Sequence, residues 1–486
     1  MKKYRILSIL LLIAMLLTLG GTVFATETEP TEPETTELVS PEDLPDGFGR
    51  PEPLRESIFP TTYKARAKAA VLVELNTGTI VFGQDMDKKL YPASLTKIMT
   101  CMLALEHGNL DDILTVSHSA LENLNIYGST VGLLEGEQIS LRELLYCIMV
   151  SSANEGCNVI AEHISGSIDS FVKAMNAKAA EIGMKDTHFA NTHGLHDDDH
   201  YTTAHDLAVL GCWAWQNMQF REFSTVTEHT VPATNLSGER FLQTTNHLTS
   251  TAKTDRYYYE NAKGIKTGFT TPAGGCLIST ASNGELAFLS VVCGCETLYD
   301  ADSRELDMRF LETEDLFNFG FSKYDFVQVL SDLAMLEQCE VRDGLSNRVL
   351  VHAAESKAVL LPVDYDPELI TLRLDYLSGS VLQAPLTEGQ KVGTVTAFYG
   401  DIPLESADLI TLSAVGKHES ALVDAKLGGD MGIWDGLLDY WYLTIPFALV
   451  LLLVVLLLII RAVNVHRAKK RAKRRRRNAT RRRSYD

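Results

Sequence analysis

The sequence predicts an α+β protein: a helix-bearing domain built on an antiparallel sheet, a small all-β sandwich after it, and one C-terminal transmembrane helix. Three observations predict this. Two hairpin patterns, Ala70–Phe82 and Gly275–Cys295, bracket a long stretch of helical periodicity. Beyond about Tyr324 the pattern changes to short alternating runs separated by turn residues. Trp441–Ile460 then carries no charge over 20 residues, enough to cross roughly 30 Å of hydrocarbon at about 1.5 Å per residue.

Taken in order, residues 1–25 read as a signal peptide. Met1–Arg5 is basic, Ile6–Leu19 is apolar but short for a span, and Val23-Phe24-Ala25 offers small residues for cleavage after Ala25. Residues 26–56, rich in Thr, Glu and Pro, lack the side chains to bury a core and read as a disordered spacer. The first folded domain is expected over 57–325. It opens on a hairpin in which Ala70–Glu74 and Thr79–Phe82 flank Asn76-Thr77-Gly78. Ser94–His107 places Leu95, Ile98, Met99, Met102 and Leu105 on one helical stripe. Further helices are expected at 140–150, 155–165, 168–183 and 203–217. The second hairpin turns at Asn283-Gly284 between Gly275–Ser282 and Glu285–Cys295, and a charged amphipathic helix is expected at 302–318. A β-rich domain follows over 326–430, with strands at Asn347–His352, Ala358–Pro362, Ile370–Leu374, Val392–Tyr399 and Leu409–Ala414. The span at 441–460, with Trp434, Tyr440, Trp441 and Tyr442 as an aromatic belt, leads into a basic tail at 461–486.

The net charge of −19 conceals a split. Residues 26–440 hold 62 of the 63 acidic residues against 28 basic ones, whereas Arg461–Arg483 carries 13 Lys or Arg. A body that acidic excludes nucleic acid and anionic lipid surfaces as partners. Basic residues directly after a span mark its cytoplasmic side, so the body is expected outside the cytoplasmic membrane on a single-pass anchor. The eight cysteines show neither metal-ligand nor short-loop disulfide spacing and read as small buried hydrophobes, although export permits disulfides. His188, His193, His196, His200 and His205 surround Asp197-Asp198-Asp199, which resembles ligand material, but no His-Glu-x-x-His pattern is present. No metal or other cofactor is expected. Asn235-Leu236-Ser237 matches a glycosylation acceptor by chance.

Three short motifs carry the chemistry. Ser94-Leu95-Thr96-Lys97 sets a hydroxyl and an amine three residues apart, on one face of the expected helix and near its N-terminus, where negative charge is favoured. Ser152-Ala153-Asn154 falls between two apolar helices, where the plain alternative is a joining turn with a capping side chain. Lys266-Thr267-Gly268 enters a strand after Gly264, and glycine there points to close approach of something to the backbone. Each motif alone is weak; the alternative for the last is an ordinary edge strand. In this order they match the trio of penicillin-binding proteins and class A β-lactamases.

The flanks narrow the match. Pro92–Thr100, Val150–Glu155 and Gly264–Thr271, together with Asn191–Leu195, His200–Ala204 and Asp206–Ala208, resemble the low-molecular-mass penicillin-binding proteins of the serine-type D-alanyl-D-alanine carboxypeptidase family. The family usually has Gly where Ala153 stands. The resemblance implies a β-lactamase/transpeptidase-like catalytic domain, a C-terminal β domain and membrane attachment. It implies Ser94 as acyl-ester nucleophile, Lys97 as general base, Ser152 as proton relay and Asn154, Lys266, Thr267 and Gly268 as substrate-binding residues. The backbone N–H groups of Ser94 and Phe269 would form the oxyanion hole. Implied partners are peptidoglycan stem peptides ending in D-Ala-D-Ala, with β-lactams as inhibitors. For Lys97 to act as base, its pKa has to fall from about 10.4 towards 7, by burial and a second cation such as Lys266. A β-lactamase, a transpeptidase of the same fold and a non-catalytic penicillin-binding sensor are the rival readings.

Overall fold

A computed structural model describes residues 51–122, 124, 128–300 and 302–418. The expected signal peptide, most of the spacer, the span at 441–460 and the basic tail lie outside the described residues. No helix among the described residues is long and apolar enough to cross a membrane.

The first hairpin forms as β1 (Ala69–Glu74) and β2 (Thr79–Gln84), with Gly78 at φ +67° allowing the tight return. Arg55–Glu56, at the end of the expected spacer, adds a short parallel strand to β2. The helices follow as α1 (Lys97–His107), α2 (Leu141–Val150), α3 (Asn154–Ser165), α4 (Ile168–Ile182) and α5 (Ala204–Gln216). Ser140, Ser167 and Thr203 cap α2, α4 and α5 by accepting the amide of the third residue on. Then come β3 (Ala262–Thr270), β4 (Gly274–Ser282) and β5 (Ala287–Cys295). The sheet runs β2-β1-β5-β4-β3, all antiparallel, with β3 on its outer edge.

Alternation along the strands explains the layers. Ala69, Val71 and Val73 of β1 join a core with α1–α5, whereas Ala70 and Leu72 face the opposite core. That opposite face is covered by α6 (Met308–Lys323) through Phe310, Leu316 and Phe317. Every residue of α1 from Lys97 to Leu105 is buried, which makes it the central helix of the domain. The eight cysteines are all buried and unpaired.

The last helix begins six residues later than the expected 302–318. Asp300 accepts from the Arg304 backbone and side chain at 2.8 and 2.9 Å, and Thr297–Tyr299 pairs with Glu305–Asp307. This local hairpin consumes the charged residues that looked amphipathic, and Asp307 caps the helix instead.

α6 passes directly into β6 (Tyr324–Leu330), which pairs with β9 (Lys357–Pro362). A second sheet of the all-β part sets β10 (Ile370–Tyr376), β11 (Lys391–Tyr399), β12 (Ile402–Thr411), β8 (Arg348–Ala353) and β7 (Met335–Arg342) side by side. Sequence reading had no strands at β6 and β7. Residues 342–347, 383–385 and 415–418 cluster separately, with Gly344 bridging Lys417.

A small hairpin, Glu228–Val231 with Arg240–Gln243, secures the loop before α2. Arg240 donates to both oxygens of the fully buried Glu137 at 2.7 and 2.8 Å, and to the carbonyls of Val131 and Gly132 at 3.0 and 3.2 Å. The Asn235 side chain bonds Gln138 N and Gly136 O in the same region, so the chance glycosylation site is already occupied by the fold. Arg240→Ala leaves a buried carboxylate without its cation and should cost about 3–5 kcal/mol. Urea unfolding checks this, and a loss below about 1 kcal/mol would show that water reaches Glu137.

Candidate active site

The first motif forms a tight turn. Ala93–Thr96 is a 3₁₀ turn running into α1 at Lys97, so Ser94 stands just ahead of the α-helix rather than in its first turn. Ala93 takes φ +49°. Gly194, at φ +88°, lies so close behind it that an added Cβ would sit 1.8 Å from the Ala93 carbonyl oxygen. On the other side Gly268 of β3 approaches Ser94, where a Cβ would fall 3.1 Å from its backbone nitrogen. The glycine of the third motif thus leaves room between the edge strand and the serine turn.

His200 fixes this turn. Its Nδ1 accepts from the amides of Ala190 and Asn191 at 3.0 and 3.3 Å. The proton therefore resides on Nε2, which donates to Thr96 Oγ1 at 2.8 Å, and Thr96 in turn donates to Ala93 O at 2.9 Å. Burial lowers the His200 pKa to about 4, as suits a neutral structural imidazole. Among the described residues no group of His, Cys, Asp and Glu is assembled to hold a metal ion.

Lys97 is fully buried. Its Nζ donates to Ser94 Oγ at 3.0 Å, Asn154 Oδ1 at 2.8 Å and the His193 carbonyl at 2.7 Å. Burial lowers its pKa to about 8, against smaller opposing effects of Cys157 and Glu155. Asn154 is the first residue of α3, whose cap position is Ala153 with no side-chain bond. The Asn154 side chain is turned to the lysine instead of capping the helix.

Ser152 lies in the same cleft, 4% exposed and at φ +63°, a left-handed conformation that non-glycine residues adopt at a cost of about 1–2 kcal/mol. It makes no hydrogen bond to Lys97 or Lys266 among the described residues. Lys266 is 1% exposed, and its Nζ donates to Thr267 O at 3.1 Å. Burial, and then the charge of Lys97, hold it well below the usual lysine range. Thr267 Oγ1 lies 2.5 Å from Thr245 Oγ1.

Ser94, Ser152, Asn154, Thr267 and Gly268 border one cleft of about 300 Å³, lined also by Ser129, Leu195, Phe269 and Thr270, whereas Lys97 and Lys266 are buried outside its lining. Among the described residues no carboxylate lines the cleft, although the chain as a whole is acidic. Sequence reading missed Arg309, which lines the cleft from the first turn of α6, donates to Gly268 O at 3.0 Å and is held by Asp307. It missed Thr245 and the His193 carbonyl as well. Arg309 follows its partner by 41 residues with no motif around it, and a carbonyl leaves no mark in sequence.

Comparison with known proteins agrees with this arrangement. Residues 57–297 match the family model of D-alanyl-D-alanine carboxypeptidases, and residues 324–417 match that of the penicillin-binding protein 5 C-terminal domain. The chain is 30% identical to D-alanyl-D-alanine carboxypeptidase DacF of Bacillus subtilis over 68% of this chain and 80% of the relative. It is 30% identical to DacC of Escherichia coli over 76% and 87%. Among solved structures it resembles penicillin-binding protein 5 of Haemophilus influenzae, at 28% identity and a TM-score of 0.55 over 74% of this chain and all of that one. Penicillin-binding protein 6B of Escherichia coli gives 25% identity and the same TM-score over 74% and 99%. With the serine turn, the edge strand and the second domain all matched in sequence order, the chain belongs to the D-alanyl-D-alanine carboxypeptidase family of low-molecular-mass penicillin-binding proteins.

Proposed function

We propose that this protein is a serine-type D-Ala-D-Ala carboxypeptidase that removes the terminal D-Ala from peptidoglycan stem peptides through an acyl-enzyme on Ser94. The observation that carries the reading is the 3.0 Å separation of Lys97 Nζ from Ser94 Oγ at the floor of the cleft. A serine hydroxyl is a weak nucleophile until a base takes its proton. When Lys97 is neutral, its two N–H groups remain bonded to Asn154 Oδ1 and the His193 carbonyl. The lone pair then faces the Ser94 hydroxyl, and the Ser94–Lys97 bond reverses direction.

In this reading Ser94 Oγ attacks the carbonyl of the penultimate D-Ala, and its proton passes to Lys97. The oxyanion is bound by the N–H groups of Ser94 and Phe269. Ser152 transfers the proton to the departing D-Ala amine as the C–N bond breaks. Lys266, Thr267 and Gly268 hold the terminal carboxylate, and Asn154 Nδ2 bonds a substrate amide. An anion entering beside two buried lysines restores the charge balance that burial removed. Water, deprotonated by Lys97, then cleaves the ester. A cleft with no lining carboxylate among the described residues disfavours a β-lactamase that deacylates through an acidic residue, and the intact motifs disfavour an idle sensor. Residues 57–325 make up the catalytic domain and 326–430 the β-rich one. Residues 441–460 anchor the protein so that both domains face outward and the tail lies in the cytoplasm.

Three outcomes test this. Ser94→Ala should lower D-alanine release from a diacylated Lys-D-Ala-D-Ala tripeptide by at least about a thousandfold and abolish covalent penicillin labelling; labelling of the variant would refute the nucleophile. With Lys97 at about 8, the neutral amine gains roughly tenfold per pH unit below that value. The acylation rate should therefore climb with pH and level off above about 8, whereas a flat profile between pH 6 and 8 would exclude Lys97 as the base. Deleting 441–486 should move the protein from the membrane fraction to the soluble one, and retention in the membrane would contradict the anchor.

A further inference from the structure

Glu155 stands immediately after the second motif and takes no part in the steps above. It is 2% exposed, the second residue of α3. One oxygen, Oε1, accepts three hydrogen bonds, from Thr130 Oγ1 at 2.6 Å, Val131 N at 2.8 Å and Gly132 N at 3.1 Å. These donors belong to the strip that walls the cleft, where Gly128 and Ser129 line the cavity. One residue earlier, Asn154 N donates to Ser129 O at 3.0 Å. Consecutive residues of α3 therefore hold the wall from inside, while Arg240 holds Val131 and Gly132 from outside. The other oxygen, Oε2, is buried with no hydrogen-bond partner. Three bonds to one oxygen already secure a loop, and burying a carboxylate to do it is costly when a neutral acceptor would serve.

The surroundings of Lys97 give the charge a use. Lys97 is faced by Lys266 from β3, by His193 and His200 from the loop before α5, and by Cys157 and Glu155 from α3. Burial keeps both histidines neutral, with values of about 3 and 4, and pushes the Cys157 thiol up to about 12. Of these neighbours Glu155 is the carboxylate, and its charge acts on the buried Lys97 amine.

We propose that Glu155 is a positioning residue of the acylation step: one oxygen fixes the cleft wall against Asn154, and its buried charge offsets that of Lys97. The inference rests on Ser94 and Lys97 acting as nucleophile and base. Glu155→Gln keeps an acceptor for the wall but removes the charge. Glu155→Asp keeps the charge but shortens the reach, and Thr130→Val removes one wall donor and leaves the carboxylate in place.

The test is the second-order rate of labelling by a fluorescent penicillin, followed from pH 5.5 to 10 with the full chain. Glu155→Gln should move the acid limb to lower pH by about one unit, because a nearby anion stabilises the ammonium form of Lys97. Glu155→Asp and Thr130→Val should slow labelling about tenfold or more with the limb unmoved, as expected when misplacement rather than charge is at fault. A Glu155→Gln limb at the wild-type pH overturns the charge role. A wild-type rate in both other variants overturns the wall role, which these two decide even if Glu155→Gln does not fold. Failure of the wild type to label, or labelling of Ser94→Ala, would instead strike at the acyl-enzyme reading itself.

Discussion

A lysine amine with no access to water requires an acceptor for every proton it carries. For Lys97 those acceptors come from the serine turn, from the first residue of α3 and from a loop carbonyl almost a hundred residues further along the chain. Satisfying one buried nitrogen therefore fixes three segments relative to one another. The rest of the domain supports that convergence. Gly194 brings the His193 carbonyl close enough, His200 braces the turn through Thr96, and α1, buried from Lys97 to Leu105, gives the whole assembly a rigid base.

The grouping of the site residues was legible where side chains recur at short spacing. Ser94, Lys97, Ser152, Asn154, Lys266 and Thr267 all border the same cleft or lie beneath it, and the hairpins and inner helices fall where periodicity placed them. What stayed hidden depended on other kinds of contact. Glu155 acts through bonds to the amides of a loop far from it in sequence, the His193 contribution is a backbone oxygen, and Arg309 reaches the cleft only because α6 packs across the sheet. The shift of α6 has the same origin, since Asp300 binds Arg304 locally and the charge pattern no longer reports a helix face. β7 escaped notice because its burial is irregular, with most of its residues exposed.

The histidine-rich loop shows how a composition that resembles a ligand set is used otherwise. His200 and His193 are buried and neutral, and His188 Nδ1 lies 2.6 Å from the Asp199 carbonyl. Such rings act as fixed hydrogen-bonding pieces for a loop that needs to present one carbonyl to a lysine. Chemistry-bearing residue types were recruited here for shape. The cysteines follow the same rule, filling small volumes among helices and strands.

The sheet ends on the strand that carries Lys266 and Thr267. An outer strand has one side that no neighbouring strand pairs with, and an extended peptide can dock there as one more strand. Recognition along such an edge reads the main chain and its stereochemistry before any side chain. An enzyme built this way would tolerate wide variation in the body of its substrate while remaining strict about the handedness and length of the end that enters the cleft.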